Sequence, residues 1–136
     1  MATITRFEEI VAWQLARQLA NRIYDATEAG AFSRSFPIRN QIERSAVSVM
    51  ANIAEGFDRR SSRDFARFLV IAKASASETR SLLYLAGDRE FITLAQRDDL
   101  LKLSWRLAGL LAGLIKSLQP PSGRGPTGAQ TVNREP

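Results

Sequence analysis

Cysteine and histidine are both missing from this chain of 136 residues. Without cysteine there is no disulfide framework and no thiolate metal site. Without histidine the chain loses the commonest general base, the usual proton switch near neutral pH and the favoured imidazole ligand. A ferritin-like di-metal centre, which needs Glu-x-x-His pairs inside a helical bundle, is excluded with it. Lysine is scarce, at Lys73, Lys102 and Lys116 only, so the basic character rests on arginine. The longest strongly apolar run, "LAGLLAGLI" from Leu107 to Ile115, lies between Arg106 and Lys116. It falls well short of the roughly 20 residues of a membrane span. The opening "MATITRFEEI" lacks the charged-then-apolar layout of a signal peptide. No glycine loop for phosphate and no nucleophile with a base is visible. The expectation is a soluble, cytoplasmic protein that is not an enzyme and carries no cofactor and no metal.

What is present is an ordinary globular balance, 45% apolar and 24% charged residues. Residues 1–119 read as one domain. Residues 120–136, rich in proline and glycine with few apolar side chains, read as a disordered tail. The net charge is +5. Arginine's planar fork suits phosphate, so nucleic acid is a natural class of partner, beside the plainer reading of a basic solubilising surface.

Periodicity predicts four helices and no strand, the all-α class. Helix one starts after Thr5, where Thr5-x-x-Glu8 resembles a capping box, and stops at Gly30. Helix two begins near Pro37 with Ser35 as a candidate cap; Ile38, Ile42, Ala46, Val49 and Ile53 make its inner face, and Gly56 ends it. Helix three is capped by Ser61 or Ser62, and its seam alternates by four and three through Phe65, Leu69, Ala72, Ala76, Thr79, Leu83 and Ala86. Val70, Ile71 and Leu82 fall off that seam, which points to a second covered face. Helix four runs from about Leu94 to Leu118. Its Gly109-x-x-x-Gly113 pair suggests a close backbone approach to a neighbour, since glycine otherwise weakens a helix.

Four long helices with short connections predict an antiparallel up-down bundle. Helices one and four look apolar over more than half their circumference, which predicts a homo-oligomer with closed symmetry. Trp13, Trp105 and Tyr24 are candidates for core or interface, core being the default for large aromatics.

Three stretches in order, "FEEIVAWQLA", "QIERSAVSVMANIAEG" and "DFARFLVIAKASASE", resemble the bacterial four-helix bundle proteins encoded in intervening sequences of 23S ribosomal RNA genes. The strongest element is Asn52-Ile53-Ala54-Glu55-Gly56, followed at a fixed distance by Phe65-x-x-Phe68-Leu69-x-Ile71-Ala72 and Glu78. The resemblance covers Phe7 to Leu118. It implies a bundle assembling as a ring-like homopentamer with a basic surface. The accessory proteins of diversity-generating retroelements are similar, and imply binding to nucleic acid and to a reverse transcriptase. The chain departs from the family pattern at Glu43-Arg44, where relatives carry two basic residues. That change weakens a helix-two contact with nucleic acid.

Two sets of candidate residues result. Asn52, Glu55, Gly56 and Glu78 form a structural polar tie: Asn52 bonding a neighbouring helix, the two carboxylates buried and paired with arginines, Gly56 taking a left-handed cap. Arg59, Arg60, Arg63 and Arg67 form a basic rim running from the loop onto helix three, with Arg60, Arg63 and Arg67 able to share one face. Arg44 on helix two and Arg17 on helix one are further candidates for phosphate, with Arg22 less secure. The function expected is a homo-oligomer that binds nucleic acid, RNA above all, through backbone phosphates with little sequence specificity. The alternative is a scaffold or accessory subunit that docks a nucleic-acid enzyme.

Overall fold

A computed structural model of the chain describes residues 3–120. Four α-helices carry the fold: α1 Val11–Thr27, α2 Phe36–Asp58, α3 Ser62–Asp88 and α4 Leu94–Ser117. Short 3-10 turns, Phe7–Glu9 and Gly30–Arg34, precede α1 and α2. No strand occurs among the described residues. Successive helices pack side by side and α1 closes against α4, the up-down bundle expected, with the α2–α3 pair the most extensive contact. The tail expected over residues 120–136 lies outside the described residues, apart from Pro120.

The start and stop signals act mostly as their chemistry dictates. Ser61 Oγ accepts from the Asp64 amide at 3.2 Å at the start of α3. Thr93 and Gln96 form a reciprocal capping box on α4. α1 stops at Thr27 with Glu28 as its cap, short of the expected Gly30, which adopts φ +58°, open to glycine without strain, and begins the following 3-10 turn. Ser35 stands at the cap position of α2, yet its hydroxyl donates back to Ala31 O at 3.1 Å and caps nothing.

Helix one begins later than Thr5 suggests. Ile10 is extended and buried, so the chain breaks there, and the Thr5 amide bonds Glu9 Oε1 at 2.9 Å, not Glu8. That hydrogen bond holds the Glu9 carboxyl below the usual carboxylate range.

The core follows the heptad reading closely. Ile42, Ala46, Val49 and Ile53 of α2 and Leu69, Ala72, Ala76, Leu83 and Ala86 of α3 are each fully buried. From α4, Leu100, Leu101, Leu103, Leu107 and Leu111 complete it. The wide apolar arc of α4 is therefore largely consumed inside the bundle by α1 and α3. Exposed large apolar side chains are spread over all four helices, and α3 carries the most of them, at Val70, Ile71, Tyr84 and Leu85. Trp13 is half-buried, edge-on to Phe7 at 5.2 Å, whereas Tyr24 and Trp105 are exposed, against the default of core. Gly109 and Gly113 have nothing within 4 Å of where a Cβ would stand, so no close approach among the described residues explains them.

The polar ties differ from those expected. Glu55 is paired but not buried: its side chain is 56% exposed and meets Arg59, one turn on in the same helix, at 3.0 Å. Glu78 is exposed as well, accepting from Gln41 Nε2 at 3.2 Å. Asn52 Nδ2 donates within its own helix, to Ser48 O at 2.8 Å and Ser48 Oγ at 3.0 Å. Beside that Gln41–Glu78 bond, the crossing from α2 to α3 is made by hydroxyls: Ser48 Oγ with Ser75 Oγ, and Ser45 Oγ with Thr79 Oγ1, each at 2.8 Å. Helical rotation is the reason. Asn52 lies one turn from Ser48 and reaches α3 only through that hydroxyl, while Glu55 projects outward.

Glu78 does tie α3 to α2, through an exposed bond; the sheltered carboxylate that ties helices together is Glu43. Its Oε2 accepts from the fully buried Thr27 Oγ1 of α1 at 2.5 Å and from Arg39 Nε at 2.9 Å, with the Glu43 side chain only 14% exposed. A hydrogen bond to a charged, sheltered acceptor contributes roughly 1.5–3 kcal/mol, an exposed ion pair roughly 0.2–1 kcal/mol. Glu43→Ala is expected to lower stability by about 2 kcal/mol, a fall in Tm of roughly 8 °C for a domain of this size. Glu55→Ala is expected to cost under about 1 kcal/mol. Thermal melts of the two variants check the ranking, which fails if Glu55→Ala melts lower than Glu43→Ala.

Candidate nucleic-acid interface

The corner between α2 and α3 is built by a close approach of the two helices. Gly56 lies inside α2, buried, two residues before its end, and is not the helix stop. A Cβ there would stand 2.5 Å from Phe68 Cβ and 3.2 Å from Phe65 Cδ1. Only glycine lets α3 come this near. Phe57 meets Phe65 edge-on at 5.6 Å and closes the corner beneath the turn.

The left-handed residue expected at Gly56 is Arg60, at φ +63°. A non-glycine residue in that region is uncommon, and here it lets three residues, Arg59 to Ser61, reverse the chain. Arg60 therefore sits at the tip of the turn and not on the face of α3 with Arg63 and Arg67.

Aromatic rings position three of the four rim arginines. The Arg59 and Arg67 guanidiniums lie 4.9 and 4.8 Å from the centre of the Phe68 ring, and that of Arg60 lies 5.6 Å from Phe57. Such contacts hold a cation in place without neutralising it. Carboxylates do neutralise part of the rim: Glu55 pairs with Arg59 at 3.0 Å and Asp64 with Arg67 at 3.5 Å. Arg60 and Arg63 are exposed and have no ion pair among the described residues. Both existing pairs are exposed, so a phosphate can compete for Arg59 and Arg67 at small cost.

The remaining candidates do not all join this rim. Arg44 is exposed on α2, 15 residues before Arg59, hence roughly 22 Å away along the helix. It borders a polar groove between α2 and α3 with Asn40, Ser48, Ser75 and Glu78. Arg17, over the Trp13 ring at 5.7 Å, is placed by the antiparallel order toward the same end of the bundle as the corner. Arg22 faces Asp25, Gln96 and Asp99 in a cleft between α1 and α4. Among the described residues no three His, Cys, Asp or Glu side chains gather as a metal site would need, and no helix is long and apolar enough to cross a membrane.

Two features escaped the sequence reading. Glu43 was legible only as a departure from a basic pattern, since its partner Thr27 is distant in the chain. The second is Arg80, whose guanidinium lies 4.0 Å from the Trp105 ring centre and whose Nη2 donates to Ser77 Oγ at 2.9 Å. Burial holds Arg80 below the usual guanidinium value. The arginine of α3 and the tryptophan of α4 carry no shared motif that would have announced the stack.

The model of the family described as "23S rRNA-intervening sequence protein" matches residues 8–113. A crystal structure of a protein of unknown function from the S23 ribosomal protein family of Bacteroides thetaiotaomicron VPI-5482 superposes with a TM-score of 0.72 at 32% identity. That match covers 78% of this chain and 96% of the other. No functionally curated protein matches the chain.

The corner is open to a direct test of its geometry. Gly56→Ala has to push Phe68 away, an overpacking cost of about 3 kcal/mol, and is expected to lower Tm by roughly 12 °C. Gly109→Ala meets open space and is expected to raise stability by up to about 1 kcal/mol through helix propensity. Calorimetry of both checks the contrast; a Gly56→Ala protein melting like the parent would sink the close approach.

Proposed function

The chain belongs to the 23S rRNA-intervening sequence protein family, and on that premise we propose that it acts without catalysis, as a homo-oligomer binding RNA through backbone phosphates. The subunit number we take is five, as the family resemblance implies. The observation that carries the reading is the α2–α3 corner, where Arg60 projects from the tip of a left-handed turn and Arg63 opens α3, both exposed and without a carboxylate partner among the described residues. Arg59 and Arg67, laid against Phe68, flank them and are available once their exposed pairs open.

Such a site reads charge and spacing, not base edges. The aromatic rings of the corner are covered by guanidiniums or packed against the core, with Phe68 only 7% exposed, so they offer no platform on which a base can stack. Low sequence specificity follows. One corner contributes few phosphate contacts, and a ring repeats them, so that weak contacts add as avidity.

A second reading, an accessory subunit docking a nucleic-acid enzyme such as a reverse transcriptase, draws on the exposed apolar surface of α3. The two separate in a titration of structured RNA followed by fluorescence anisotropy between 50 and 200 mM salt, a window in which phosphate contacts weaken sharply. Affinity is expected to fall steeply with salt, and Arg60→Ala with Arg63→Ala to flatten the log–log slope by roughly one unit per arginine for each engaged subunit. No binding at low salt, or an unchanged slope in the double variant, leaves the docking reading in its place.

A further inference from the structure

α3 is apolar on two opposite faces. Its inner seam is buried in the bundle, and a second stripe runs along its outer side through Val70, Ala74, Ser77, Ser81, Tyr84 and Asp88, spaced by four and three. Ile71 and Leu85 widen the stripe, and Arg67 precedes it. The large apolar members are left in solvent: Val70 54%, Ile71 41%, Tyr84 49% and Leu85 45% exposed. Two turns of apolar residues thus flank a centre of small ones, over a helix of 27 residues.

The stripe reads the same from either end. About the midpoint between Ser77 and Glu78, Ala74 has Ser81 as its counterpart, Val70 has Leu85, Ile71 has Tyr84, and Arg67 has Asp88. A surface ordered in this way is complementary to itself when turned over, as an isologous interface requires. We propose that the outer face of α3 is a two-fold contact with a second copy of this chain, the two α3 helices lying antiparallel and crossing near Ser77. The inference rests on the reading above that copies of this chain associate, and adds to it a second, isologous contact.

Charge selects the orientation. In a parallel pair Arg67 would face Arg67 and Asp88 would face Asp88, whereas the antiparallel pair brings unlike charges together at both ends. Asp88 is exposed with no ion pair among the described residues, and Arg67, over the Phe68 ring, has as its ion pair there a 3.5 Å contact to Asp64, with its own side chain 58% exposed. Ala74 and Ser81 at the centre allow the two helices to approach, and the paired ends close over them. Glu78, on the edge of the stripe, is drawn toward α2 by Gln41 Nε2 and away from its centre. A ring requires heterologous contacts, so this two-fold surface is additional to a ring interface and joins copies in pairs, single chains or whole rings alike.

Because the chain has no cysteine, single thiols make a clean test. Ala74→Cys and Ser81→Cys variants, mixed and oxidised, are expected to form a disulfide-linked heterodimer on a non-reducing gel, Ala74 meeting Ser81 across the axis. Either variant alone leaves its like positions about 10 Å apart along the helix, beyond disulfide reach, and is expected not to cross-link. Asp88→Arg is expected to halve the mass measured by sedimentation, and Arg67→Asp added to it to restore that mass, with far-ultraviolet circular dichroism confirming the fold of each. A parent chain that sediments as a monomer at about 100 μM overturns both this proposal and self-association. An oligomer that gives no mixed cross-link, or whose mass ignores Asp88→Arg, overturns this surface alone. A mixed cross-link with the mass restored by the charge exchange upholds it, whether or not RNA binds.

Discussion

The close approach of α2 to α3 at Gly56 is the constraint from which the rest of the molecule is arranged. With no side chain at Gly56, Phe68 packs directly against the α2 backbone, and small core residues, Ala46 on α2 and Ala72 and Ala76 on α3, continue the seam. The hydroxyl bonds of Ser45 with Thr79 and Ser48 with Ser75 need that short separation, since serine and threonine side chains reach only a few ångströms. Each satisfies a polar group inside an otherwise apolar seam, where an unmade hydrogen bond costs about 1–3 kcal/mol. The same closeness makes a three-residue turn long enough, and that turn presents the arginines. Packing in the seam and charge at the rim are therefore consequences of one missing side chain.

Much of this was legible because periodicity reports rotation about a helix axis. The seven seam positions of helix three, from Phe65 to Ala86, all face inward, six of them buried and Phe65 partly so. Partners are another matter. Whether a polar residue such as Glu55 meets a neighbouring helix or solvent turns on about 100° of rotation per residue, and composition around it does not report that angle. Surrounded in sequence by Ile53, Ala54 and Gly56, Glu55 looked sheltered, yet it projects outward while Ile53 and Gly56 point in. Gly56 was misread for a related reason. Glycine near a helix end signals a left-handed cap on average, but here Phe57 and Asp58 remain helical and the left-handed position falls on an arginine.

The apolar arcs were misplaced through a similar limit. Helix four reads as apolar nearly all round, and in a four-helix bundle it is flanked by both α1 and α3, so a wide arc is what its own neighbours require. Helix three reads as a clean heptad with three stray apolar residues; Leu82 packs partly against the core, while Val70 and Ile71 lie on the side the bundle does not cover. A width of apolar surface is thus a poorer guide to association than a second, opposite stripe. The first is explained by the number of neighbours, and the second has no partner among the described residues.

Electrostatics bounds what the rim can do alone. Arg59, Arg60, Arg63 and Arg67 are accompanied by Glu55, Asp58 and Asp64, so four positive charges and three negative ones leave +1 at the corner, within a chain of net charge +5. A corner so nearly balanced does not attract a polyanion from a distance, where only net charge is felt beyond a Debye length of about 10 Å. At contact the balance changes, because phosphate meets individual guanidiniums in a fork geometry and the competing carboxylate pairs are exposed and weak. Binding of this kind has to be short-ranged and repeated to amount to affinity. On the proposed reading assembly therefore comes first: a single corner is a weak local contact, and several copies held together would repeat its guanidiniums at fixed spacing.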